Sequence, residues 1–177
     1  MKLKISLCTA GCGILLALSS FPVAASVKTA PPNGLPNFGT VDPGIYRGAA
    51  PTGKGLANLK RMGVQTVIDL RISPRQVKAE SKQVSSLGMQ FVNLPMGKEP
   101  PTPKEEKTFL QIVSTAKDHP VYVHCQYGAD RTGTMIGLYR RVDDGWPFDR
   151  TYAEMRHYGF KPWLTHLSSF VKNAAPK

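Results

Sequence analysis

Along the chain, apolar runs typical of buried strands alternate with apolar positions at helical spacing. "GIYRG" predicts a short strand, and in "LANLKRMG" Leu56, Leu59 and Met62 share one face of a helix that Gly63 stops. "VQTVIDLR" is β-branched and mostly apolar, as a strand covered on both faces should be. Ser73-Pro74-Arg75-Gln76 has the form of a capping box with proline at the first helical position, opening a helix to Leu87 that ends at Gly88. "MQFVNLP" is the next strand. Thr102-Pro103-Lys104-Glu105 repeats the box, and Phe109, Leu110, Ile112 and Val113 form that helix's apolar face. "PVYVHC" then reads as a strand and "TGTMIGLYRRV" as the helix that follows it, with two further helices in "FDRTYAEMRHYG" and "WLTHLSSFVKN". The alternation predicts an α/β fold with a mainly parallel central sheet flanked by helices and a helical C-terminal third.

The N-terminal segment breaks this pattern. "MKLK", an apolar stretch from Ile5 to Phe21 and the small residues Val23-Ala24-Ala25 have the layout of a cleavable export signal over 1–25. Thr9, Ser19 and Ser20 interrupt a run already short for crossing a bilayer, so no stable membrane anchor is expected after cleavage. Residues 26–40, rich in Pro and Gly, read as a linker or extended arm, leaving 41–177 as one domain. A secreted, periplasmic location follows as an expectation.

Cleavage would remove two of the three cysteines, Cys8 and Cys12, and leave Cys125 alone. Exported proteins usually pair their cysteines, so a lone thiol among polar neighbours is expected to do chemistry. The formal charge of +11 falls to +9 without Lys2 and Lys4, which points to anionic partners. No run of Lys and Arg exceeds two residues, and aromatic residues are not interleaved with them, so nucleic acid is not an expected partner. Gly48 to Gly55 nearly spells a nucleotide-binding loop, but Gly55 stands where such a loop needs a Mg²⁺-binding hydroxyl.

"HCQYGADRTG" lies where a strand gives way to a helix. Ligands of such folds bind at the carboxyl ends of parallel strands. A loop from Gln126 through Tyr127, Gly128 and Ala129 to Asp130, arching over a helix N-terminus, offers backbone N–H groups to an anion of phosphate size. Arg131 can present a planar fork to two phosphate oxygens, and the same field favours a thiolate at Cys125. A thiolate at the base of a phosphate cradle points to attack on phosphorus.

These residues resemble the His-Cys-x5-Arg-Ser/Thr signature of the cysteine-based protein tyrosine phosphatases. "IYRGAAP", "VIDLR", "FVNLPM" and "GWPFDRTYAEMRHYGF" extend the similarity to the small dual-specificity type, in particular its exported bacterial branch, over roughly residues 38–165. The resemblance implies Cys125 as nucleophile of a phosphocysteine intermediate, Arg131 as phosphate ligand, Thr132 as hydrogen-bond donor to the thiolate and His124 as support. It implies neither metal nor cofactor. The implied substrates are phosphotyrosine and phosphoserine/threonine proteins; the alternatives are phosphoinositides or other small phosphate esters, or a weakly active phosphoprotein binder. The family generally carries an Asp after the strand matching "FVNLPM", and here that loop reads Gly97-Lys98-Glu99-Pro100-Pro101. Glu99 and Asp130 are therefore both candidates for the general acid, while Asp69 at a strand end reads as structural.

Overall fold

The computed structural model describes residues 32–175. The expected export signal lies outside the described residues. A five-stranded sheet runs in the order β1 (Gly39–Asp42), β2 (Ile45–Ala49), β5 (Val121–Cys125), β3 (Thr66–Asp69), β4 (Gln90–Asn93). Only β1 pairs antiparallel, as an edge hairpin with β2; the other pairings are parallel, as the alternation of strands and helices predicts. The chain crosses the sheet through α1 (Gly53–Arg61), α2 (Pro74–Ser86) and α3 (Pro103–Val113), and closes with α4 (Asp130–Val142), α5 (Phe148–His157) and α6 (Thr165–Asn173). No helix among the described residues is long and apolar enough to cross a membrane.

Strand alternation sorts the core into two layers. Ile68, Val121, Val123 and Cys125 face Phe109, Val113, Met135 and Ile136 of α3 and α4. On the opposite face Val67 and Tyr122 pack with Leu56, Leu59 and Val84 of α1 and α2. α5 and α6 add a third cluster around Met155, Phe160, Leu167 and Val171. Strand β5 is buried at every position, which explains its unbroken run of β-branched and aromatic residues.

Local structure departs from the sequence pattern at the start of α2 and at β1. The capping box at α3 forms, with Thr102 N–H donating to Glu105 at 2.7 Å and Glu105 N–H to the Thr102 hydroxyl at 3.3 Å. At α2 it does not: Ser73 makes no side-chain cap, and Gln76 donates instead to the Gln126 side chain at 3.3 Å. Pro74 at N1 has no N–H to leave unpaired, and its fixed φ starts the helix without the cap.

The described part of the expected linker, 32–40, is packed onto the domain. Leu35 is buried, Pro36 O accepts from Ala49 N–H at 2.8 Å, and the segment ends in β1, which the turn-rich composition concealed. This arm also accounts for the near nucleotide-binding motif. A Cβ at Gly55 would lie 2.1 Å from Gly34 O, so glycine there lets the arm cross the start of α1, and Thr52 caps that helix through Gly55 N–H.

Candidate active site

Strand β5 delivers Cys125 to the carboxyl edge of the sheet, and α4 begins five residues later. The loop between them is held from outside. The carbonyl of Gln126 accepts from Ala50 N–H at 3.4 Å, that of Tyr127 from the Asn37 side chain at 3.1 Å, and that of Gly128 from the Arg47 guanidinium at 3.0 Å. With three successive carbonyls bonded outward, the peptide planes turn their N–H groups toward the thiol. The N–H groups of Gly128, Ala129, Asp130 and Arg131 donate to no backbone carbonyl among the described residues. Together with the N-terminus of α4 they form an anion cradle.

Gly128 adopts φ +69°, where a side chain is strained. The cradle's other wall is Arg131, half-buried, whose Nη1 reaches the carbonyls of Leu70 and Met96 at 3.4 Å each, just past the ends of β3 and β4. These two weak bonds hold the guanidinium over the strand ends while leaving donors free for a bidentate ligand.

Cys125 is 2% exposed. Burial alone pushes its pKa up, but hydrogen bonds from the Thr132 hydroxyl and backbone, the charge of Arg131 and the Tyr127 N–H outweigh it, and the net shift is downward. The Thr132 hydroxyl is fully buried with no other acceptor among the described residues, and the Cys125 thiolate is the group it acts on. His124 points to the other side of the strand. Its Nδ1 lies 3.2 Å from Cys125 O and its Nε2 2.7 Å from Glu80 Oε1. His124 also belongs to a buried cluster that sequence reasoning missed.

That cluster joins Asp69, Arg71, Glu80 and His124. Arg71 donates to Asp69 at 2.9 Å and to Glu80 at 2.5 Å. Burial disfavours its charge, but these two carboxylates more than compensate and hold its pKa above the ordinary value. Asp69, Glu80 and His124 lie close enough together to ligate a cation, and the Arg71 guanidinium supplies the positive charge there. Glu80 shares the buried stripe of α2 with Val84, and a carboxylate on that stripe was the available signal. Arg47 carries the same kind of signal, a charge in strand register between Ile45 and Ala49.

The two acid candidates are placed differently. Asp130 opens α4 beside Arg131; its Oδ1 accepts from Lys161 N–H at 3.0 Å and its Oδ2 lies 3.8 Å from Lys161 Nζ. It lines a cleft of about 410 Å³ together with Arg131, Met96, Lys98, Lys161 and Trp163. Glu99 is exposed on the neighbouring loop, and the cleft wall includes Gly97 and Lys98 but not Glu99. Ile72 and Trp163 in the cleft wall and Tyr127 on the cradle loop are the exposed large hydrophobic side chains among the described residues.

Residues 31–173 match the family described as DSP-PTPase phosphatase fused to NAD+ kinase. The chain belongs to this family. Among curated phosphatases it is 29% identical over 142 residues to the dual specificity protein phosphatase TpbA of Pseudomonas aeruginosa, covering 78% of this chain and 62% of that protein. It is 25% identical over 147 residues to the inositol diphosphatase DSP3 of Arabidopsis thaliana, covering 81% and 70%. The crystal structure of a cysteine-to-serine form of P. aeruginosa TpbA in complex with pTyr superposes with a TM-score of 0.68 at 25% identity, over 83% of this chain and 88% of that one. The phosphatase fold expected from the signature is thus the fold observed, with the cysteine, the cradle and the arginine together at one strand-to-helix junction.

Proposed function

We propose that this dual-specificity-type phosphatase hydrolyses phosphate monoesters through a phosphocysteine intermediate. One observation carries the reading: a buried thiol of lowered pKa lies at the base of a loop whose carbonyls are bonded outward, with Arg131 at its rim. Cys125 attacks phosphorus in line with the departing oxygen, the P–O bond to that oxygen breaks, and the phosphoryl group is bonded to sulfur. The loop's N–H groups and Arg131 hold the equatorial oxygens throughout. Thr132 stabilises the thiolate when water later cleaves the P–S bond and frees inorganic phosphate.

The leaving oxygen needs a proton, and Asp130 is the donor this reading favours, because it lines the cleft beside Arg131. Glu99 is the alternative. The phosphate-binding residues are Gln126, Tyr127, Gly128, Ala129, Asp130 and Arg131. The exposed Ile72, Tyr127 and Trp163 around the mouth suit an aromatic phosphoester on a protein. Lys98 and Lys161 in the same cleft favour a second reading, a compact substrate with several phosphates. The protein is further proposed to belong to an exported bacterial branch and to act in the periplasm after cleavage behind Ala25, as the charged start and apolar centre of its first residues suggest.

Turnover of phosphotyrosine, phosphoserine and phosphothreonine peptides and of inositol phosphates by residues 26–177 tests the substrate reading. Hydrolysis of phosphotyrosine peptides is expected, and inertness toward every phosphoester in the panel would overturn it. N-terminal sequencing of protein recovered from the periplasm tests export; a chain beginning at Met1, or its absence from that fraction, would contradict it.

A further inference from the structure

Arg47 is the largest fully buried side chain among the described residues, and the chemistry above uses it only as a bond to a loop carbonyl. It occupies the β2 position paired with Val123, two residues along the strands from the pairing of Ala49 with Cys125 and on the same face of the sheet. Its Nη2 donates to Gly128 O, and its guanidinium lies 3.8 Å from the centre of the Tyr158 ring. The same Nη2 would lie 3.9 Å from a Cβ at Gly133, so the cation sits against the first turn of α4. Nε and Nη1 have no acceptor.

An apolar side chain would fill this space at less cost. Burying a cation with unpaired N–H groups is unfavourable, and the positive end of the α4 dipole adds to the penalty. Both penalties fall when an anion occupies the loop above. Burial lowers the pKa of Arg47 to about 10, opposed by Glu154 of α5, Tyr158 and Cys125 and reinforced by Arg140 of α4, so it remains a cation at neutral pH. Glu154 stabilises the charge from a distance without a hydrogen bond to it, since both its carboxylate oxygens bond to Arg140, which also pairs with Asp42 and Asp144.

We propose that Arg47 is a positioning residue of the phosphate cradle, holding the Gly128 carbonyl outward and placing a fixed buried positive charge beneath Cys125 and the bound phosphate. The inference rests on the phosphocysteine reading. The fold tolerates this residue at the expense of stability because the cradle needs the charge.

The test replaces Arg47→Met, which keeps the volume and removes the charge, and Arg47→Lys, which keeps the charge. Cys125 alkylation by iodoacetamide is followed against pH in the ligand-free protein, with protection by inorganic phosphate and thermal melting alongside. The groups facing the thiol in that titration are Arg131, Thr132, Tyr127 N–H, Arg47 and the Tyr122 hydroxyl. In R47M, alkylation at neutral pH should slow about tenfold with its curve displaced to higher pH, and phosphate protection should weaken about tenfold. The melting temperature should not fall. R47K should recover most of the alkylation rate.

A folded R47M with wild-type alkylation and phosphate protection would overturn the proposal. Should R47M not fold, Arg47→Gln gives the second neutral variant, and unchanged alkylation there is equally contrary. If neither neutral variant folds, Arg47 is a structural residue and the proposal falls. A wild-type Cys125 no more reactive than a free thiol would instead contradict the phosphocysteine reading, whatever the Arg47 variants do.

Discussion

Gly128 rests directly on Gly48: a Cβ at position 128 would lie 2.4 Å from the Gly48 carbonyl carbon and 2.6 Å from Ala49 N. The contact seats the cradle loop on the end of β2. Since φ at Gly128 is +69°, Gly128→Ala meets both a backbone clash and conformational strain. The variant should lose at least about 1–3 kcal/mol of stability in chemical denaturation, and its turnover should fall about a hundredfold or more as the N–H groups lose alignment. Near-normal turnover would show that the loop geometry is not what binds the phosphate.

The thiolate has a pH signature. Because the pKa of Cys125 is lowered, the thiolate persists to lower pH than for a free thiol, and reactivity disappears only as pH falls through the folded value. Thr132→Val removes the hydroxyl that faces the sulfur, so the alkylation curve of Cys125 should move to higher pH, with slower phosphoenzyme hydrolysis. An unmoved curve would remove Thr132 from the set of thiolate ligands.

Beneath the strand, Glu80 joins His124 to Arg71. Glu80→Ala leaves a buried guanidinium with one carboxylate and removes the carboxylate beside His124 Nε2, so a loss of about 3 kcal/mol is expected in urea unfolding. Glu80→Gln, which can still accept from one partner, should lose less. Equal stability of Glu80→Ala and wild type would mean that the cluster does not support the strand.

The elements of the sheet and the cradle were legible in the sequence to different degrees. Period and turn residues located β2 to β5 and the six helices of the described residues, because β3 and β5, buried at every position, give nearly continuous apolar runs and helices keep their stripe. Strand β1 was not legible: its four residues pair only at the edge and follow a proline-rich segment. The signature placed Cys125 and Arg131 at the strand-to-helix junction, since the intervening spacing is local. Asn37 and Arg47 reach the loop from 90 and 81 residues away, and no local pattern encodes such contacts. The failed cap at α2 has the same origin, as Gln76 takes a partner from the loop 50 residues on.

The acid is identified by leaving-group dependence. A missing proton donor matters most when the departing oxygen is strongly basic and least when it leaves as a stabilised phenolate. Across aryl phosphates of rising leaving-group basicity, phosphoenzyme formation by Asp130→Asn should fall progressively behind wild type. Glu99→Gln should differ from wild type by a constant factor. The reverse assignment would make Glu99 the donor, and two flat series would remove both residues from the step.

The central claim is the covalent bond between Cys125 and phosphorus. Rapid quenching of the enzyme with an aryl phosphate, followed by mass spectrometry of the peptide carrying Cys125, measures it directly. The account predicts a burst of phenol release matched by one phosphoryl group on Cys125, and neither burst nor adduct in Cys125→Ser, which should still bind the ester. Undiminished hydrolysis by Cys125→Ser, or phosphate found on another residue, would contradict the account.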